Sequence, residues 1–230
     1  MIIPSDPMVC QGENSVVNLD VRFWHPMEGT PMSLEKPAQF GVISQGKKQD
    51  LLSELKPEMI KGKKTWRLKY RVKRPGVYAF YMVPKPYWEP AEDKFIVHYT
   101  KTVITAYGLD EGWDEEIGLK AEIVPLSRPY GLYAGNVFQG IVKVDGKPVP
   151  FAEVEVEYYN QKGTFKPANQ YMVTQVIRAD SNGVFTYAAP MPGWWGFAAL
   201  TTSKTPMKHD GKDKDVELGA VIWVHFEKVK

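Results

Sequence analysis

Residues 139–160, QGIVKVDGKPVPFAEVEVEYYN, and residues 173–200, VTQVIRADSNGVFTYAAPMPGWWGFAAL, decide the fold class. Ala152, Val154, Val156 and Tyr158 alternate with Glu153, Glu155 and Glu157. Successive side chains on a strand point to opposite faces, so the apolar set lies against a core and the three carboxylates lie on the other face. Asp145-Gly146 interrupts one apolar run, and Asn182-Gly183 sits between Val176-Ile177 and Val184-Phe185. Such pairs supply the positive φ angles that tight hairpins need. The glutamate row reads as a solvated edge that blocks aggregation.

The same period runs outward from this stretch. Val17, Leu19, Val21 and Phe23 alternate with polar residues, as do Trp66, Leu68, Tyr70 and Val72, and Pro75-Gly76 turns the chain into the aromatic-rich Val77–Met82. Phe95 to Val103 and Ala220 to Phe226 read as further strands. Asp50 to Lys56 is the best helical candidate, one or two turns ending at Pro57. The expectation is an all-β chain of two β-sandwich domains, 1–106 and 120–230, joined by a linker over 107–119. That linker carries the acidic run Asp110 to Glu116, which reads as a solvated face.

Composition narrows the function classes. With 43% hydrophobic and 24% charged residues among 230, the chain has the material for packed cores. Twenty-nine basic and 27 acidic residues give a net charge of +2 with no basic stripe, which argues against nucleic acid as a partner. No apolar run approaches the ~20 residues of a membrane helix. The single Cys10 excludes an internal disulfide and a cysteine-cluster metal site. There is no nucleophile elbow, phosphate loop or histidine metalloenzyme motif, so the chain reads as non-enzymatic.

GKPVPFAEVEVEYYN followed by ADSNGVFTYAAPMPGWWGF resembles the transthyretin-like, carboxypeptidase-regulatory-like β-sandwich. Over its whole length, through His25-Pro26, KRPGVYAFYM, PYWEPAEDKFIVHYTKTV and EIVPLSRPYGLYAGNVFQGIV, the chain is similar to a family of exported bacterial proteins of undefined activity. Members often accompany nickel and cobalt energy-coupling-factor importers. The resemblance implies an immunoglobulin-like first domain, a transthyretin-like second domain, a periplasmic location with the export signal removed, and importer subunits as partners.

A nickel or cobalt site uses imidazole nitrogen completed by carboxylate, thiolate or water. His25 stands at a strand end with Met27, Glu28 and Met32 nearby and Met8 and Cys10 upstream, so His25, Glu28 and His98 are the candidate metal ligands. A site from His25 and His98 requires the fold to join distant segments. His225 reads as a buried or edge histidine, and His209, in a lysine-rich loop, as solvated. The alternative is a carbohydrate- or protein-binding surface module with Trp88, Trp113 and one of Trp194-Trp195 as a platform. Adjacent strand residues face opposite ways, so the other tryptophan of that pair belongs to a core.

Overall fold

The computed structural model describes residues 1–229. The fold is all-β, built as β-sandwiches, and among the described residues no helix is long and apolar enough to cross a membrane. The expected helix is reduced to one 3-10 turn, Leu52–Glu54. A helix that short does not recover its nucleation cost. Leu51 and Leu55 are instead buried in the first core, and Lys56 opens an edge strand where Pro57 is tolerated.

In the first half, one sheet runs in the order Ile2–Pro4, Val16–Val21, Lys63–Arg71, Lys56–Ile60. Facing it are Lys47–Asp50, Gln39–Ser44, Gly76–Val83 and Lys94–Ala106. In the second half, Ala121–Pro125, Val137–Val144 and Val184–Ala188 face Val216–Glu227, Gly193–Thr202, Glu153–Tyr158 and Gln175–Arg178.

The halves are fused. Phe95 through Thr102 pair in parallel with Val216 through Trp223, making one continuous sheet that serves both sandwiches. Period two explains how a single strand can do this. The even-numbered Ile104 and Ala106 enter the first core, whereas the odd-numbered Phe95, Val97 and Tyr99 belong to the second. The two sandwiches therefore lie on opposite faces of the shared sheet. The outer face of its second half, which alternation would leave to solvent, is partly roofed by loops of the first.

The decisive stretch behaves as its alternation requires on the core side: Val154 and Val156 are fully buried. Asp145 and Gly146 both have positive φ, +49° and +72°, and close a tight turn between Val137–Val144 and Lys147–Pro148. Asn182-Gly183 differs from a simple hairpin. Only Gly183 takes a positive φ, and the turn carries the chain from Gln175–Arg178 in one sheet to Val184–Ala188 in the other. The glutamate strand is not an edge, because Gln175–Arg178 and Gly193–Thr202 flank Glu153–Tyr158 on its two sides. Exposed Asp110, Glu111, Asp114, Glu115 and Glu116 keep the acidic run at the surface, with Asp110 paired to Arg128 and Glu116 to Lys143.

Candidate functional site: an interdomain cleft floored by two flattened rings

A cleft of about 440 Å³ lies on the roofed half of the shared sheet. Its floor is the outward row of four strands: Glu155 and Glu157; Gly196, Ala198 and Leu200; Val221 and Trp223; Ile96, His98 and Thr100. The walls come from Trp24, His25 and Met32–Leu34 on one side and Pro84–Tyr87 on the other.

Two strand glycines shape the floor. His98 stands directly opposite Gly219 in the parallel ladder, and its ring lies so flat that a Cβ on Gly219 would come within 2.3 Å of His98 Cδ2. Trp223 stands opposite Gly196, where a Cβ would fall 2.8 Å from its ring. A glycine weakens a strand by ~0.5–1 kcal/mol relative to alanine, and a cross-strand aromatic covering it recovers packing. The result is an imidazole and an indole laid across the sheet at the bottom of the cleft.

Each histidine has a carboxylate neighbour. His98 Nε2 and Glu217 Oε1 are 3.0 Å apart, and Lys94 Nζ donates to Glu217 Oε2 at 2.6 Å. The His98 contact, working against burial and assisted by Lys94, lowers Glu217 from its ordinary 4.5 to about 2. With Nε2 engaged, Nδ1 is the His98 nitrogen left for a ligand. Burial and the neighbouring carboxylates push Glu155 up, and His98 partly offsets this. Burial likewise pushes Glu157 up, opposed by the Thr174 hydroxyl, by His25 and by the Met27 backbone N–H. The carboxylates expected to be a solvated row thus belong in part to the cleft: Glu153 is exposed, whereas Glu155 and Glu157 are half-buried. Alternation cannot tell water from a polar cleft on the outer face.

His25 reaches the cleft through a hairpin that the sequence reads as loop. Phe23–His25 pairs with Thr30–Met32, and Gly29 N–H donates to His25 O at 2.9 Å. Asn160 pins this hairpin to the second sandwich: its backbone N–H donates to Pro26 O at 3.2 Å and its Nδ2 to Met27 O at 3.1 Å. Glu28, at the turn, is exposed and is not part of the lining. His25 and His98 therefore share one cleft, while Met8 and Cys10 do not line it. As arranged, no three His, Cys, Asp or Glu side chains among the described residues form a set that would hold a metal ion.

The other aromatic and histidine candidates fall elsewhere. Trp194 and Trp195 are both buried, 8% and 1% exposed, in separate clusters on the two faces of their strand. Trp113 is half-buried beside Val77 and Tyr130. Trp88 is covered by His209, stacked at 3.8 Å and 17°, so His209 is a latch and not a solvated loop residue. That latch, with Lys214 Nζ donating to Asp93 Oδ1 at 2.6 Å, ties the Met207–Lys214 hairpin to the segment carrying the Tyr87 wall. No exposed aromatic platform remains from the four tryptophans. His225 is half-buried against Trp194, and burial lowers its pKa. A wider groove of about 970 Å³ on another part of the seam is bordered by exposed Lys69, Gln161, Lys162 and Thr164.

Fold and cleft together define an all-β, sandwich-built protein with a roofed cleft between its halves. The chain belongs to the family described as Domain of unknown function (DUF4198), which it matches over residues 1–203. No curated protein matches it. Among solved structures it is similar to the D0-D1 domain of Intimin, with 10% identity and a TM-score of 0.27, covering 96% of this chain and 97% of that one. It is also similar to the fibronectin(III)-like modules of Clostridium thermocellum CbhA, with 8% identity, a TM-score of 0.24, and 99% and 95% covered. A third is a putative carbohydrate binding protein from Bacteroides uniformis, with 11% identity, a TM-score of 0.24, and 96% and 100% covered.

Proposed function

We propose that this chain is a non-catalytic periplasmic binding protein of nickel or cobalt uptake, which carries the metal in the interdomain cleft and docks on importer subunits. The observation that supports this reading is the convergence of His25 and His98, from distant segments, on one cleft that also holds Glu155 and Glu157. Imidazole and carboxylate are the donor types that nickel and cobalt accept. Glu217, already engaged with His98 and Lys94, orients the imidazole, as a carboxylate behind a metal-binding histidine commonly does.

The test is metal retention. Protein incubated in culture medium supplemented with nickel or cobalt, then desalted, should retain metal by inductively coupled plasma mass spectrometry. The His25→Ala and His98→Ala variants should lose it. Protein that retains no metal, or variants that retain as much as the wild type, would remove the cleft histidines from the account.

A further inference from the structure

The cleft carries more apolar surface than a site for a hydrated ion calls for. Met32, Pro84, Tyr87, Ile96, Ala198 and Leu200 all line it and are half-buried, so walls and floor alike leave apolar surface uncovered. Covering such surface is favourable by ~25 cal/mol per Å². The cleft volume of about 440 Å³ lies within the range of small-molecule sites. At ~30 Å³ for each water-sized group it has room for an organic ligand of up to roughly fifteen non-hydrogen atoms.

The charged groups around it set the sign of that ligand. Lys94 donates to Glu217 Oε2 at 2.6 Å and also pairs with Glu92. Arg22 is held by Asp20 at 2.6 Å and by the Tyr159 hydroxyl at 2.7 Å, and Lys85 is exposed. An anion entering the cleft therefore meets cations that are already engaged. The carboxylates differ among themselves. Glu157 bonds the Thr174 hydroxyl and has its Oε2 sealed from solvent, and Glu217 is taken by His98 and Lys94. Glu155 has no hydrogen bond or ion pair among the described residues, and its oxygens are not sealed. It stands directly opposite Ala198, whose single methyl leaves the carboxylate rising above the floor. Burial heads the causes that raise its pKa, so a positive charge beside it would offset a cost the protein leaves uncompensated.

We infer that the cleft binds a small organic ammonium ion, its cationic nitrogen on Glu155 and its apolar body along Ala198 and Leu200 beneath the Met32 and Tyr87 walls. The inference goes beyond the metal-uptake reading and does not rest on it, since it uses Glu155 and the apolar lining and no histidine.

The test is calorimetry on the full chain at neutral pH, stripped with EDTA and kept in it. The probes are phenethylamine, phenethyl alcohol and hydrocinnamate: a cation, a neutral molecule and an anion of similar size. Phenethylamine should bind at least about tenfold tighter than either of the others, the worth of one hydrogen bond to an ionised group. Glu155→Gln keeps the shape and deletes the charge, and should remove that advantage while leaving the alcohol unchanged. Glu153→Gln, on the same strand but exposed and outside the lining, should bind all three as wild type does. Thermal melts establish that both variants fold. An alcohol that binds as tightly as the amine, a Glu155→Gln variant with undiminished preference for the amine, or no binding of the amine would each overturn the inference. Because metal is chelated throughout, none of these outcomes bears on metal retention, which decides the metal reading separately.

Discussion

Replacing Gly219 with alanine isolates the device on which the cleft floor depends. Gly219 is not among the residues with positive φ, so its backbone accepts alanine, and on strand propensity alone the change should stabilise by ~0.5–1 kcal/mol. The three atoms nearest the new Cβ all belong to His98, at 2.3, 2.7 and 2.9 Å. Ordinary contact begins near 3.4 Å, so the imidazole has to move by about 1 Å or more. Its 3.0 Å contact with Glu217 does not survive that displacement. Losing a hydrogen bond to an ionised partner costs ~1.5–3 kcal/mol, which outweighs the propensity gain and leaves a net loss of ~1–2 kcal/mol. The pH dependence has a definite sign. Glu217 titrates near 2 when folded and near 4.5 when unfolded, so its contribution is present above pH 4.5 and lost as the pH falls toward 2. The penalty of the alanine should therefore be largest near neutrality and shrink in acid. Urea denaturation in a double-mutant cycle with His98→Ala is the assay. With the ring removed, Gly219→Ala should change sign and stabilise slightly. An equal penalty in both backgrounds would refute the argument that the glycine exists to seat the histidine.

Lys101 and Glu122, 2% and 3% exposed and 2.6 Å apart, tie the shared strand to the segment entering the second sandwich, and Glu122 also accepts the backbone N–H groups of Ile117, Gly118 and Leu119. Lys101→Met leaves that carboxylate without its cation and should cost ~3–5 kcal/mol by chemical denaturation; a cost under ~1 kcal/mol would mean the backbone donors suffice. Gly183→Val places a β-branched residue at φ +77° with its Cβ 3.0 Å from Val149 O, and should destabilise by ~1–3 kcal/mol in calorimetry. An unchanged melting temperature would contradict the assigned turn. Glu157→Gln removes a carboxyl whose pKa is raised by burial. Wild-type stability should fall as pH rises from the unfolded value toward the raised folded one, and the glutamine variant should not follow, so its advantage in melting temperature grows as pH rises above the ordinary carboxylate range and levels off once the folded carboxyl has ionised. A variant less stable than wild type at neutral pH would show that the charge is compensated.

Local pattern carried the strands and little of their partnership. Val154 and Val156 could be assigned to a core from alternation, and Asp145-Gly146 to a turn from its need for positive φ. Lys94–Ala106 shows the limit. Its sequence, KFIVHYTKTVITA, has apolar residues on both faces because each face meets a different core along its length. Nothing within thirteen residues announces a parallel partner more than a hundred residues downstream. His25 and His98 were legible as donor types, but their meeting depends on that seam and on Asn160 holding the hairpin from the opposite sandwich. Glu28 looked equivalent to His25 by proximity, yet it occupies the turn of the hairpin and is exposed.

The strand glycines hold the information that local reading misses. Gly41 lies opposite Tyr81, Gly140 opposite Phe185, Gly196 opposite Trp223 and Gly219 opposite His98. In each pair a Cβ on the glycine would fall within 3 Å of the facing ring. Gly140 lets Phe185 fill the second core, while Gly196 and Gly219 serve the cleft. One local rule, a ring laid over a missing Cβ, thus builds both the interior and the candidate site. Phe185 does so from the sheet that faces the shared one, whereas the Trp223 and His98 rings lie on the outward face of the shared sheet, beside or within the seam. Because His98 sits in the seam itself, the position of its imidazole is fixed by sheet register and not by the linker. A change that slips the Phe95–Thr102 pairing by one residue would turn His98 into the second core and close the site without touching any of its other residues.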